Sequence, residues 1–466
     1  MSADQASRPK RPARAVVQEG FRALRSTSKV DGVFHLIWLL AIGGCLGALL
    51  TGRSLTSGPG LAFLATVLAC AAASRWGATR CLVIATLFTL TVPFYLFEGY
   101  LRVFAAESKT AVVAKLRAQG VEAYPAVFPT GFVQLWREAG IDSPIEVAGQ
   151  AILPLAGVPD VPTVYCESSA GMVVYQSDRF GFRGPAGQEQ AEDPDYVLLG
   201  DSFVQGYCVD EADTYAAQLS PLGTVANLGV NGTSVLAQAA IHAEYGEALR
   251  PKHVLWFFYE GNDPAGHHDE RIAPILRNYL ESGFTQGLRA RPEAVGGATR
   301  RYVDAELGSR AVLTITHDQD ALDADRSWLQ SARGFVTLHR TRRALRRACP
   351  LVFCEFPSPD LSAEDWAEIE ALWRRVVERE GARGVSVTFV YVPLHFRFGL
   401  IDPTPFAALE RRVLGIWSDL GAHYVSLTPF LEGVESPLSL FADIHFNAQG
   451  YARSAAYIAD HLRARE

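Results

Sequence analysis

The sequence predicts an α/β fold, a parallel β-sheet in a three-layer sandwich, preceded by an all-α membrane unit of three transmembrane helices. Two observations support this class. Short apolar runs that end in turn residues alternate with helical patterns after residue 190, as they do in parallel sheets with helical crossovers. Three longer apolar runs, with charges only in the loops between them, lie within the first hundred residues.

The elements of the predicted sheet alternate in chain order. Strands are expected at 196–199, 224–228, 253–259, 385–392 and 423–426. Helices are expected at 215–219, 234–249, 363–380, 405–420 and 448–463. A further helix is expected at 111–118, ahead of the first strand. Because helices separate the strands, the strands can pair in parallel.

The membrane unit is predicted from three apolar runs at 33–51, 58–74 and 81–97. A helix of 19 residues extends about 28 Å, close to the hydrocarbon thickness of a bilayer. The preceding tail carries seven Lys and Arg residues against three acidic ones, which marks it as cytoplasmic. Three crossings then place the following chain in the periplasm or outside the cell, so we expect an integral protein of the inner or plasma membrane. The alternatives are a hydrophobic subdomain of a soluble protein, a signal peptide over the first run, and lipidation of Cys45.

The chain divides into four predicted parts. These are a basic cytoplasmic tail at 1–31, the membrane unit at 33–101, a connecting segment at 102–190 and an α/β domain at 191–466. Residues 264–362 interrupt the last part as a long, poorly periodic insertion. Six arginines between 333 and 347 suggest a helix that contacts an anionic membrane surface or an acidic glycan, or one with a solvated arginine face.

Charge and cysteine content restrict the partners. A net charge of −7 argues against nucleic acid. No Cys-x-x-Cys pair or Cys/His cluster is present, and we expect no cofactor and no metal.

Four of the seven cysteines follow the membrane unit, an even number in an oxidising compartment. The nearness of Cys349 to Cys354 favours that pair and leaves Cys166 with Cys208, while free buried thiols are the alternative.

Gly200-Asp201-Ser202-Phe203 is the most informative short motif. It follows the strand at 196–199, so Ser202 lies at the carboxyl edge of the sheet, where α/β folds bind ligands. Downstream follow Gly232, Gly261-Asn262-Asp263 and Asp443-Ile444-His445. Together these residues offer a nucleophile, a general base with an orienting carboxylate, and hydrogen-bond donors for an oxyanion.

These blocks resemble those of the SGNH (GDSL-type) hydrolases. Gly200-Asp201-Ser202 resembles the first block, residues 227–232 the second, Gly261-Asn262-Asp263 the third, and Asp443 with His445 the last. The resemblance covers about residues 190–460 and implies an SGNH-like, flavodoxin-like sheet. Phe203 replaces a leucine of the first block. One residue separates Asp443 from His445 where many relatives have two, a spacing similar to that of members that act on exported polysaccharides, including alginate O-acetylation proteins.

The resemblance and the chemistry assign the same roles. A serine hydroxyl needs a base within hydrogen-bond reach, so Ser202 is the expected nucleophile, His445 the base and Asp443 its orienting carboxylate. The expected oxyanion donors are the backbone N–H groups of Ser202 and Gly232 and the side-chain amide of Asn262, each contributing roughly 3–4 kcal/mol. We expect Asp201 and Asp263 to brace the structure. Four further residues are expected at most to support the site residues or to contact the substrate: His267, His268, His395 and Arg397.

These residues favour a membrane-anchored serine ester hydrolase that removes acyl groups, acetyl above all, from an envelope or exported carbohydrate. An O-acyltransferase that acetylates an exported polysaccharide would use the same residues. An inactive domain that binds glycan or organises a secretion complex is the third reading. The expected partners are an acylated carbohydrate or another ester, the lipid bilayer, and envelope or polysaccharide-export proteins. The insertion follows Asp263, so we expect it to overhang the site and to determine substrate choice.

Overall fold

The computed structural model describes residues 92–101, 108–168, 171–184, 193–309, 311–317, 338, 341, 361–399 and 401–465. The chain forms two compact units, Met1–Ala105 with Ser327–Cys354, and Ala106–Arg326 with Glu355–Glu466. In the first unit residues 92–101 are helical, and the Glu98 carboxylate accepts a hydrogen bond from the Thr341 N–H at 2.7 Å.

None of the helices in these described ranges has the length and apolar character needed to cross a bilayer. The spans predicted at 33–51 and 58–74 and residues 81–91 of the third lie outside the described residues. So do the basic tail, most of the arginine-rich stretch at 333–347, and Cys349 and Cys354. The membrane unit therefore stays a prediction.

The second unit begins with elements that the sequence analysis treated as a connecting segment. The helices of this segment are α1 (Lys109–Ala118) and α2 (Pro129–Ala139). Its strands are β1 (Tyr124–Pro125), β2 (Glu146–Val147), β3 (Gln150–Ala151), β4 (Pro162–Ser168) and β5 (Gly171–Gln176). β1, β4 and β5 form a three-stranded sheet, and β2 pairs with β3. Phe132, Trp136 and Tyr165 from this segment share one apolar core with Trp256 of the main sheet. Most of the predicted connector is thus part of the folded unit.

The main sheet has five parallel strands in the order β10–β9–β8–β6–β7. They are β6 (Tyr196–Leu199), β7 (Val225–Asn227), β8 (His253–Tyr259), β9 (Ser386–Val392) and β10 (His423–Ser426). Alternate residues of β6 face opposite cores, since Val197 and Leu199 belong to one apolar cluster and Leu198 to the other. Both faces are therefore covered, as parallel sheets require. The predicted parallel three-layer sheet is confirmed.

Helices cover the sheet on both sides. In chain order they are α3 (Ser202–Gln205), α4 (Tyr215–Leu219), α5 (Val235–Ile241), α6 (Asp263–Arg271), α7 (Pro274–Arg277), α8 (Pro292–Glu306), α9 (Ala311–Ile315), α10 (Ala363–Gly381), α11 (Thr404–Asp419), α12 (Thr428–Glu432) and α13 (Ala448–Arg463). The helix predicted at 234–249 is shorter, because a π-helical turn at His242–Gly246 follows α5. The described part of the insertion, expected to be poorly periodic, holds most of α6 and all of α7, α8 and α9.

Candidate active site

Three side chains that the sequence predicts to act together lie within hydrogen-bond reach. The Ser202 Oγ lies 2.8 Å from Nε2 of His445, and Nδ1 of His445 lies 3.1 Å from an Asp443 carboxylate oxygen. Ser202 and His445 are both buried. If Nδ1–H donates to Asp443, Nε2 is free to accept the serine proton, which is the arrangement that general-base activation requires.

Ser202 is presented by the turn between β6 and α3. A side chain at Gly200 would meet Val204 at 2.5 Å, so only glycine fits there. The Asp201 carboxylate caps α3 by accepting the Phe203 N–H at 2.9 Å. The nucleophile is therefore held at the first residue of a short helix.

His445 is held by its own loop. Phe441 and Phe446 form an isolated antiparallel bridge, and the His445 N–H donates to the Asp443 carboxylate at 2.7 Å. The imidazole contacts two aromatic rings. Its centroid lies 4.1 Å from that of Tyr207 and 5.0 Å from that of Phe203. These contacts restrict the orientation of the ring.

The surroundings of Asp443 favour its ionised form. Desolvation by nearby protein raises the pKa of Asp443, but the hydrogen bonds and the charge of His445 outweigh it and lower that pKa below its usual value, and the side chain stays 55% exposed. A carboxylate that stays ionised can hold Nδ1–H of the imidazole and stabilise the imidazolium as it forms.

Asp201 joins the nucleophile turn to Asn262. Its carboxylate accepts the Asn262 side-chain amide at 2.9 Å, and the Ser202 hydroxyl lies 3.4 Å away. Burial raises the pKa of Asp201, while the hydrogen bonds it accepts and the charge of His445 oppose that rise. One of the two amide hydrogens of Asn262 is thus engaged, and the other is available to an oxyanion. Asp201 has the bracing role that the sequence predicts.

The loop that carries Gly232 is fixed by Gln205. The Gln205 side-chain oxygen accepts the Asn231 N–H at 2.8 Å and the Tyr165 hydroxyl at 2.8 Å. The Val230 N–H donates to the Gly200 carbonyl at 3.1 Å. Gly232 itself has φ +75°, a left-handed conformation that favours glycine. The structure therefore holds the second block of the motif directly against the first.

Residues outside the motif support the nucleophile helix, and the sequence analysis missed their role. The buried Arg183 donates to the carbonyls of Gly206 at 2.6 Å and Val209 at 2.9 Å. A disulfide joins Cys166 of β4 to Cys208, which confirms the pairing left by elimination. The carbonyls that Arg183 binds lie 23 and 26 residues further along the chain, and no spacing rule predicts such contacts.

The structure gives structural contacts to two of the remaining candidate residues, Asp263 and Arg397. Asp263 accepts the Tyr259 N–H at 2.7 Å and the Gln238 amide at 3.0 Å, a structural role as expected. Arg397 is buried in ion pairs with Glu260 at 2.8 Å and Glu410 at 2.9 Å, which gives it a structural role; a substrate contact stays a prediction.

His395 lies near the proposed base. Burial lowers its pKa to about 4, and the charges of Asp443 and His445 also act on it. Its ring centroid lies 5.2 Å from that of Phe441, in the loop that holds His445. It is the one additional histidine that the structure associates with the triad among the described residues.

His267 and His268 instead face α10. His267 lies 3.2 Å from Glu368, and its Nε2 and carboxylate oxygens of Asp365 and Glu368 lie within 4.8 Å of one another, a spacing that could hold a metal ion. No spacing in the sequence predicts this cluster, because Asp365 and Glu368 lie about a hundred residues further along the chain. The Arg271 guanidinium already lies 3.1 Å from both carboxylates, so the cluster carries its own cation.

Comparisons with known proteins are weak. No family model and no curated protein matches the chain. A structure described as a lipolytic protein of the G-D-S-L family from Desulfitobacterium hafniense is 12% identical with a TM-score of 0.30, over 57% of this chain and 97% of that one. The psychrotrophic esterase EstA from Pseudoalteromonas sp. is 11% identical with a TM-score of 0.27, over 58% and 98%. Similarity this low establishes no family, and the chemistry must be inferred from the site itself.

Proposed function

We propose that the chain is a serine ester hydrolase of the SGNH type that removes acyl groups, chiefly acetyl, from an envelope or exported carbohydrate. The observation that carries the proposal is the 2.8 Å contact of Ser202 Oγ with His445 Nε2, continued by the 3.1 Å contact of His445 with Asp443. Ser202 attacks the ester carbonyl, His445 takes its proton and then protonates the leaving alcohol. Water then releases the acyl group from Ser202 by the same route.

The oxyanion that forms during attack needs fixed donors. The Ser202 and Gly232 N–H groups and the Asn262 amide are the candidates, and Asp201 and Gln205 hold them in place. Donors fixed before the reaction need no reorganisation when charge develops, which makes them effective in a water-poor site.

An O-acyltransferase is the second candidate. The single residue between Asp443 and His445 favours it, since that spacing resembles proteins that acetylate exported polysaccharides. A sugar hydroxyl would then replace water in the second half-reaction, and the outcome depends on which of the two reaches the acyl-enzyme.

We also propose that three spans within residues 33–97 anchor the chain and place Ser202 on the outer side of the inner or plasma membrane. The Cys166–Cys208 disulfide supports an oxidising compartment. Alkaline extraction of membranes from expressing cells should leave the protein in the pellet. Protease added outside the intact membrane should digest the α/β domain, and protection of that domain would contradict the orientation.

The experiment for the activity follows the intact mass of the full chain after mixing with an aryl acetate. Wild type and Ser220→Ala, an exposed serine control, should gain an acetyl group that Ser202→Ala does not. An adduct that water releases supports the hydrolase, and an adduct that persists until a sugar acceptor is added supports the transferase. If neither an adduct nor hydrolysis of the aryl acetate is detected, the enzyme proposals fail and a glycan-binding role is favoured.

A further inference from the structure

Two side chains from outside the motif blocks flank Gly232. A Cβ placed on Gly232 would lie 3.1 Å from the Thr130 Oγ1 and 3.2 Å from the His317 Cε1. Both side chains therefore lie against the backbone of the loop that offers the second oxyanion donor. Thr130 comes from the predicted connector and His317 from the insertion, and neither was a candidate in the sequence.

Close helix packing fixes these two residues. A Cβ at Gly131 would lie 2.6 Å from the Thr314 carbonyl oxygen, so α2 and α9 approach to a distance that only glycine permits. The Phe128 N–H donates to the Ile315 carbonyl at 3.0 Å, and the Lys109 ammonium to the Thr316 carbonyl at 2.9 Å. The segment that ends in His317 is thus held firmly against the start of α2.

The Thr130 hydroxyl is not used by the described part of the fold. The Thr130 hydroxyl oxygen is shielded from solvent and has no hydrogen-bond partner within the described parts of the chain. An unpaired buried hydroxyl costs about 1–3 kcal/mol, so it is more stable when a ligand or water pairs with it.

His317 adds a neutral donor and acceptor beside that hydroxyl. Its side chain is exposed to solvent, and its ring centroid lies 5.1 Å from that of Phe128. The surrounding protein and the charge of Lys109 lower the pKa of His317 to about 4, so the ring is uncharged near neutral pH. A neutral hydroxyl and a neutral imidazole match the hydroxyl groups of a sugar, whereas an aryl ester would leave them unpaired.

We propose that Thr130 and His317 bind a hydroxyl of the carbohydrate next to the reacting ester and so determine specificity for sugar esters. This inference rests on the proposed function. It also gives the insertion a defined contribution, since His317 belongs to the described part of the insertion and lies beside Gly232.

The test compares kcat/KM of the full chain for two acetyl esters, an aryl acetate without hydroxyls and an O-acetylated methyl glycoside. Thr130→Val should lower the ratio of sugar to aryl activity by about threefold to tenfold, the loss expected for one hydrogen bond. Thr130→Ser keeps the hydroxyl and should keep the ratio. His317→Gly should lower the ratio, and His317→Asn, which tolerates the φ of +50° at this position, should restore part of it.

An unchanged ratio in both Thr130→Val and His317→Gly would overturn the inference. Equal losses on both esters would also overturn it, because the pair would then only support the Gly232 loop. If wild type neither forms an acetyl adduct nor turns over either ester in a way that depends on Ser202, the proposed function itself fails and the inference fails with it. Ser202-dependent turnover in wild type with an unchanged ratio in the variants refutes the inference alone.

Discussion

The ring of Tyr207 lies on the imidazole of His445, with centroids 4.1 Å apart and planes inclined by 26°. The next residue, Cys208, is bonded to Cys166 of β4, and the ring of Tyr165 meets that of Tyr207 edge-on at 5.5 Å. The small sheet that precedes the motif blocks is therefore connected to the proposed base through one loop.

Removing the disulfide should affect both stability and rate. The double variant Cys166→Ser/Cys208→Ser should lose about 2–4 kcal/mol of unfolding free energy, as native disulfides typically contribute. Its kcat should fall severalfold, because the Tyr207 loop is less restrained. Denaturant unfolding and aryl acetate turnover measure the two effects. Tyr207→Phe keeps the stacked ring and should keep kcat, while full activity in Tyr207→Ala would contradict the positioning role.

Gly232→Ala should lower kcat by roughly 10²-fold, the loss typical of one oxyanion donor. The new methyl group would contact Thr130 and His317, and φ is +75°, so the loop must move. Gly384→Ala is the matched control, since Gly384 has φ +77° and open space around the added methyl. Both variants should be destabilised to a similar degree by backbone strain, and only Gly232→Ala should lose rate. Equal kcat in the two variants would argue against Gly232 as a donor.

Gln205→Leu should lower both the free energy of unfolding and kcat. The substitution leaves the Tyr165 hydroxyl and the Asn231 N–H without their shared acceptor, at about 1–3 kcal/mol for each buried group. Tyr165→Phe removes only the hydroxyl and leaves Asn231 bonded, so it should keep most of kcat. Thermal unfolding and steady-state kinetics separate the effects. If Tyr165→Phe lowers kcat as much as Gln205→Leu does, the loss of rate comes from the hydrogen bond to Tyr165 in the small sheet. The Gly232 loop would then not be responsible for it.

Acid should destabilise the fold through His395. Its folded pKa is about 4, against about 6.5 when unfolded, so between these values the unfolded chain binds a proton that the folded chain does not. The free energy of unfolding therefore falls as pH drops from 6.5 towards 4, by at most about 3 kcal/mol at 1.36 kcal/mol per pKa unit. His395→Gln should reduce the loss between pH 7 and 4.5, and the exposed-site control His423→Gln should retain it. Identical pH profiles for wild type and His395→Gln would contradict this assignment.

The sheet and the reacting residues could be predicted because each has a local signal. The strand bounds at Tyr196–Leu199 and His253–Tyr259 coincide with apolar runs that end in turn residues. Ser202 and His445 follow such signals in a recognisable order, although 243 residues separate them.

The surroundings of the site could not be predicted, because they depend on contacts between distant segments. The two-residue strand Tyr124–Pro125 is too short to show alternation, and α8 (Pro292–Glu306) contains Gly296 and Gly297, which weaken any helical signal. Thr130 and His317 both lie beside Gly232, in a region where Gly131 lets two helices pack closely. No spacing rule relates residues brought together in this way.

The separation of 243 residues between Ser202 and His445 has a consequence for biosynthesis. A ribosome that adds 5–20 residues each second incorporates His445 roughly 10–50 s after Ser202. During that interval the nascent chain already contains Asp201, Gly232 and Asn262 but not His445, the proposed base. Under the proposed mechanism, the order of the residues along the chain thus leaves Ser202 without its base until synthesis has passed the last block.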